Sequence, residues 1–291
     1  MSDSTPTESN RPSERSFWPV DLHAHTTASD GTVIPADLVD LAAERGIRVI
    51  AITDHDTIDG IPAAKRRADE QNITLVPGVE LSTTERGAEI HVLGFGLNVM
   101  DEALREDLAR LAAARYRRIV TMIEKLRDAG YLIDGDAILA QANEGSIGRP
   151  HVARALIELG AVSSVDEAFD RLLRPGRPGW VPREPFSPEQ AVQLLAHHGA
   201  VPVLAHPFST GEVDAVLDRL VPVGLKGMEV WYGEYDDTQR EALRAIAASR
   251  DLLATGGSDY HGPGFRTGRE LGTAPVTYEI FERLIEAGAR L

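Results

Sequence analysis

Two histidines one residue apart, His23 and His25, followed closely by Asp30 in the stretch DLHAHTTASDGT, form the first group in this 291-residue chain whose types could do chemistry together. On an extended backbone, residues two apart face the same way, so both imidazoles can reach one ion. Similar groupings recur along the chain. His55 stands between Asp54 and Asp56 in ITDHDT, Glu80 lies in PGVELS, and His91 opens HVLGFG. His206 lies in VLAHP, and Asp259 and His261 lie in GSDYHG. Six of the nine histidines thus sit in or at the ends of apolar, strand-length runs, beside carboxylates or glycines. Buried without partners, each such group would be costly, and shared cations are a common solution. The pattern predicts a metal centre. There is no cysteine, so thiolate ligands, disulfides and cysteine nucleophiles are excluded and His, Asp and Glu must hold the metal. That donor mixture suits Mn²⁺, Fe²⁺ or Zn²⁺, manganese being the first choice. Asp56 is a candidate catalytic side chain that would orient an imidazole, or else the cap of the next helix.

These groups need a scaffold that brings strand ends together. WPVDLHAH, IRVIAITDHD, ITLVPGVELST and AEIHVLGFGL read as strands, the last two flanking the short polar turn TERG. PADLVDLAAERG and GIPAAKRRADEQ read as helices between them. Over residues 101–189 the rhythm becomes helical, with Leu104, Leu108, Leu111, Ile119, Ile123 and Leu126 at helical spacing and a Pro/Gly-rich connection near the end. Alternation resumes over 190–291, giving strands at AVPVLAHP, KGMEVWY and LLATGGSDYHG. The expectation is an α/β chain with a mostly parallel sheet over 17–100 and 190–291, and a helical insertion over 101–189 covering the active site. Chemistry in such folds gathers at the carboxyl ends of strands. Residues 1–16 read as a polar, disordered tail. The apolar runs are too short for a membrane span and no signal-peptide pattern opens the chain, so a soluble cytoplasmic protein without a membrane partner is expected. A net charge of −15 argues against an extended nucleic-acid face, yet it allows a small anionic substrate where bound cations reverse the local sign.

The six stretches DLHAHTTASDGT, ITDHDT, PGVELS, HVLGFG, VLAHP and GSDYHG appear in the order found in the polymerase and histidinol phosphatase (PHP) family, which the chain resembles over nearly its whole folded length. The resemblance implies a distorted (β/α)7 barrel with two or three divalent ions. By position, one ion would take His23, His25, Glu80 and Asp259. A second would share Glu80 and add His91 and His206, and a third would take Asp30, His55 and His261. Some members carry histidine where Asp30 stands here; the carboxylate favours a harder ion. Such a site would hold a metal-bridging hydroxide for attack on phosphorus.

Substrate contacts are expected elsewhere. GRPH, residues 148–151, begins a helix of the insertion; Arg149 would clamp a phosphate, and His151 would protonate the leaving oxygen or touch the phosphate. Arg177 is a second candidate for a phosphate. Trp231 and Tyr232 are either core packing or a platform for a nucleobase, whereas His197 and His198 read as structural or exposed. The resemblance is to members acting on small phosphorylated nucleotides. It implies removal of the 3′-phosphate of nucleoside 3′,5′-bisphosphates, with 5′–3′ exonuclease action on short RNA. Histidinol phosphate hydrolysis and a regulatory metal-binding module without turnover are the alternatives.

Overall fold

The computed structural model describes residues 17–85, 88–140 and 145–291. The expected tail, 1–16, and the last two residues of the TERG turn, 86–87, lie outside the described residues. Seven strands form one sheet whose neighbours follow chain order: β1 (Val20–Asp21), β2 (Val49–Ile52), β3 (Thr74–Glu85), β4 (Ala88–Phe95), β5 (Val201–Leu204), β6 (Gly227–Tyr232) and β7 (Leu253–Gly257). The sheet curls until its edges meet. Asp259 N donates to His23 O and His25 N to Tyr260 O, both at 2.8 Å, just past the ends of β7 and β1. The result is a nearly closed, distorted barrel of seven strands.

One feature departs from the expectation and another follows it. Ladder hydrogen bonds confine β1 to two residues, and His23 to His25 continue as extended backbone bridged to Tyr260 at Ala24. β4 runs antiparallel to both β3 and β5, while the remaining pairs are parallel. β3 and β4 are the two strands expected to flank TERG, joined with no helix between them, and the sheet is mostly parallel, as expected.

Alternation along the strands sorts the core into two layers. Val49, Ala51, Val76, Leu93, Phe95, Val201 and Val203 pack together inside the barrel, closed at one end by Val276 and Leu284. Ile50, Ile52, Leu75, Val92 and Leu204 face outward and pack with Leu38, Ala64, Val192, Leu217 and Leu243. Those outer partners come from α1 (Pro35–Glu44), α2 (Ile61–Gln71), α7 (Pro188–His197), α8 (Val213–Leu220) and α9 (Asp237–Ser249); α10 (Tyr278–Glu286) carries Leu284.

Residues 101–189 contribute α3 (Glu102–Asp128), α4 (Gly135–Ala140), α5 (Arg149–Glu158) and α6 (Val165–Ala168), which runs into a π-helical turn, Phe169–Leu173. Ile119, Met122, Leu126, Val152, Leu156 and Leu172 build a separate apolar cluster there. The long α3 is fastened at its start. Asp101 caps it by accepting from Ala103 N and Leu104 N, and the other oxygen of the same carboxylate meets His198 Nδ1 at 2.8 Å. His198 Nε2 meets Asp107 at 3.0 Å. His198 is thus structural, while His197 is exposed.

That bridge carries a pH signature. Burial alone would lower the His198 pKa, but the hydrogen bonds and charges of Asp107 and Asp101 raise it above its ordinary value of 6.5. A raised folded-state pKa gives stability that is complete below the unfolded value and fades as pH climbs through the folded one. His198→Ala should therefore lower Tm more at pH 6 than at pH 9, measured beside the wild-type protein. An equal loss at both values would exclude the charged bridge.

Candidate metal centre

The barrel mouth collects polar side chains because the parallel strands β1, β2, β5, β6 and β7 end there and release their last residues from the apolar interior, while β3 and β4 supply Glu80 and His91 from within their length. Loop geometry then aims them. Asp56, His206 and Asp259 have left-handed backbones (φ 53°, 29° and 55°), a conformation that non-glycine residues adopt rarely and mostly at functional sites. A register shift between Glu229 and Trp231 in β6 has a similar effect. It lets Glu229 and Tyr232, three residues apart, both reach the mouth.

Glu80, from the middle of β3, is the hub. Its Oε1 lies 2.9 Å from His91 Nδ1 and 3.1 Å from His206 Nε2. Its Oε2 lies 3.4 Å from His23 Nε2 and 3.2 Å from both His25 Nε2 and His55 Nδ1. Asp259 Oδ1 lies 3.3 and 3.2 Å from the same nitrogens of His23 and His25. His23, His25, Glu80 and Asp259 therefore aim four donor atoms at one point. His55 and His91 converge with Glu80. A third group joins Asp30, His55 and His261, and includes His25 as well. His25 and His55 each stand between two groups, an arrangement that strand spacing alone does not reveal.

The donor set fits divalent cations. His23 Nε2 and His25 Nε2 face each other at 3.1 Å, and two ring nitrogens so placed can share one ion. His25 Nδ1 and His91 Nε2 are buried and make no hydrogen bond, which is costly unless a ligand completes them. Burial disfavours charge on His25 and His91, but Glu80 and its neighbouring carboxylates push them up to about 10 and about 9. Burial also opposes ionisation of Glu80 and Asp30. Facing imidazoles nevertheless hold both well below the carboxylate range: His55 and His91 around Glu80, His55 and His261 around Asp30. A cation would displace the imidazole protons.

Around the cluster lies a cavity of about 380 Å³, lined among others by Asp30, Glu80, His91, His206, Asp259 and His261. Its far wall is cationic. Arg149 pairs with Glu89, and Glu89 also meets Arg118 at 3.1 Å and Arg183 at 3.2 Å. Burial and repulsion from Arg183 and Arg149 bring Arg118 down to about 9 despite Glu89. Three guanidiniums thus share one carboxylate, and two of them, Arg149 and Arg183, line the cavity and make a wall suited to an anion.

Several expected residues are placed elsewhere. Asp56 pairs with Arg115 at 2.8 Å and accepts from Ser82 N at 2.9 Å; it orients no imidazole, and the α2 cap position is Gly60. Asp54 is occupied by Thr26 and Ser29, and so shapes the loop that carries Asp30. His151 accepts from Gly148 N and lines a different cavity, behind the Asp30 loop, so its N-terminal turn points it away from the metal cluster. Arg177 is exposed and lies outside the 380 Å³ cavity. Trp231 packs with apolar residues. Tyr232 does line the cavity, but its hydroxyl donates to Asp259 Oδ2 at 2.7 Å.

The structure adds residues that sequence reading missed. Glu229 Oε1 lies 2.9 Å from His23 Nδ1, and its Oε2 accepts from His206 N at 2.7 Å. Arg269 holds Asp259 Oδ2 at 2.6 Å. Arg115, on α3, donates to Ser82 Oγ at 2.8 Å, and Ser82 Oγ lies 3.2 Å from His55 Nδ1. A lone carboxylate in KGMEVWY and an arginine at position 115, on the apolar stripe of α3, were the available signals.

Comparison with known proteins agrees with this geometry. The PHP domain signature matches residues 21–171. The 5′-3′ exoribonuclease Rnm of Salmonella typhimurium is 36% identical over 249 residues, covering 84% of this chain and 85% of the relative. A 3′,5′-nucleoside bisphosphate phosphatase of Chromobacterium violaceum is 34% identical over 260 residues, covering 87% and 90%. A crystal structure from Bifidobacterium adolescentis, assigned to the metal-dependent phosphoesterases, has a TM-score of 0.86 at 33% identity and covers 94% of this chain and 98% of its own.

Proposed function

The chain belongs to the PHP domain family, and on that premise we propose that it removes the 3′-phosphate from nucleoside 3′,5′-bisphosphates, with 5′–3′ exonuclease action on short RNA as a second reaction of the same site. It is a hydrolase of phosphoric esters. The observation that carries the substrate reading is the cationic wall. Arg149 and Arg183 share a cavity with the imidazole–carboxylate cluster, so a substrate with two phosphates can place one at each.

In this reading two or three ions, manganese first, are held by His23, His25, Asp30, His55, Glu80, His91, His206, Asp259 and His261. When bound they supply Lewis acidity and a water of lowered pKa. The chain's own residues do the rest. Tyr232 and Arg269 fix one oxygen of Asp259, leaving the other for the cluster. Arg149, whose Cζ lies 4.8 Å from the centre of the Phe169 ring, offers a guanidinium on one wall for a bidentate phosphate contact. The helical segment 101–189 covers the site, contributing Arg115, Arg149, Val165, Phe169 and Arg183 to the cavity. No helix among the described residues is long and apolar enough to cross a membrane.

The test is phosphate release from adenosine 3′,5′-bisphosphate by Mn²⁺-loaded protein, beside AMP, histidinol phosphate, p-nitrophenyl phosphate and short RNA. The bisphosphate should be the preferred phosphomonoester. Arg149→Ala should lower its kcat/KM about 10- to 100-fold, the worth of a charged hydrogen bond, and leave p-nitrophenyl phosphate nearly unchanged. Equal losses on both would remove the arginine wall from the argument. A preference for histidinol phosphate would replace the nucleotide reading, and metal binding without turnover would favour a regulatory module.

A further inference from the structure

We propose that the ion pair between Arg266 and Asp166 is a strap that sets substrate length, favouring a single nucleotide over a longer chain; this rests on the nucleotide reading above. The two side chains belong to segments 100 residues apart in the sequence. Asp166 is on α6, flanked by Val165 and close to Phe169, and both of those residues line the catalytic cavity. Arg266 lines the cavity itself, as do Phe265 and Arg269 from the same loop. The pair therefore joins the insertion to the loop after β7 across one side of the cavity.

Size makes this contact consequential. At about 380 Å³ the cavity falls near the lower end of small-molecule sites, which run from about 300 to 1,000 Å³. That is room for one nucleotide with its phosphates. A second nucleotide must leave the cavity, and the strapped side joins two segments that are not otherwise continuous.

The strap is also built to open. Its side chains are 31% and 58% exposed, and exposed ion pairs contribute little. Arg266 has a second carboxylate within reach, Glu234 at 3.7 Å, so its charge keeps a partner when Asp166 is released. The loop is anchored on both sides of Arg266. The Phe265 ring stacks on His261 at 4.6 Å, and Arg269 binds both Asp259 and Glu234. Only the tip between these anchors needs to move, and the metal cluster is left undisturbed.

The experiment compares kcat/KM for adenosine 3′,5′-bisphosphate with that for 5′-phosphorylated oligoadenylates of two, three and five nucleotides. The proteins are the wild type, Asp166→Asn, Arg266→Gln and the charge-swapped double variant Asp166→Arg/Arg266→Asp. Both single variants should raise the oligonucleotide-to-bisphosphate ratio two- to fivefold, the factor equivalent to about 0.4–1 kcal/mol. Asp166→Asn should leave bisphosphate turnover within twofold of wild type, and the swap should restore the original ratio. An unchanged ratio, a change in only one single variant, or failure of the swap to restore it would overturn the strap. Absence of turnover on every nucleotide by wild type would instead overturn the nucleotide reading.

Discussion

Glu80→Gln is expected to lower kcat/KM for phosphate release by on the order of 10³-fold, through loss of several kcal/mol of metal-derived stabilisation, and to remove at least one ion from the protein. The reason is the number of partners at one carboxylate. Five imidazoles, those of His23, His25, His55, His91 and His206, lie within 3.4 Å of its two oxygens. Glutamine keeps the size but turns one of those oxygens into an amide nitrogen, which repels a cation and can ligate nothing. Because Glu80 is shared, damage should spread to every neighbouring ion. Metal analysis and far-UV circular dichroism on the same sample separate this from misfolding. A fully loaded, active Glu80→Gln protein would show that the hub has been misread.

The second large effect is expected at Glu229, which belongs to none of the three donor groups. Its carboxylate accepts twice, from the ring of His23 and from the backbone N–H of His206. A carboxylate accepts only, so His23 carries its proton on Nδ1 and presents Nε2 to the cluster. Glutamine cannot serve both partners, since its NH₂ would face an N–H. Glu229→Gln should therefore weaken metal binding about 10- to 100-fold, measured by competition with a chelating dye rather than by activity. Unaltered affinity would mean that His23 and the left-handed turn at His206 are held by packing alone. Arg115 acts on His55 through Ser82 in a comparable way, so the insertion and the metal cluster are mechanically linked.

What the sequence made legible follows from local physics. His23, His25, Glu80, His206 and Asp259 stood out because polar groups at the ends of apolar strands have few reasons to be there. The apolar stripe of α3 announced a helix for the same kind of reason. Strand direction was harder. Alternation tells which face a residue takes but not which way its strand runs, although a turn as short as TERG joins only antiparallel neighbours. Residues that act by pairing across the fold stayed hidden. Arg118 and Arg183 are surface-like in sequence, and only the fold brings both to Glu89 on β4. His151 misled because its neighbour Arg149 does face the cavity, while the helix turn sends the imidazole to the other side.

The seam where β1 meets β7 has a temporal consequence. Asp21 accepts from Ser258 across 237 residues of chain, and the group that His23 and His25 form with Glu80 is completed by Asp259. At a synthesis rate of about 5–20 residues per second, roughly ten to fifty seconds separate the emergence of the two halves. During that interval the ribosome displays histidines that have no carboxylate partner from the far strand. The full group of His23, His25, Glu80 and Asp259 therefore closes only when the last strand arrives.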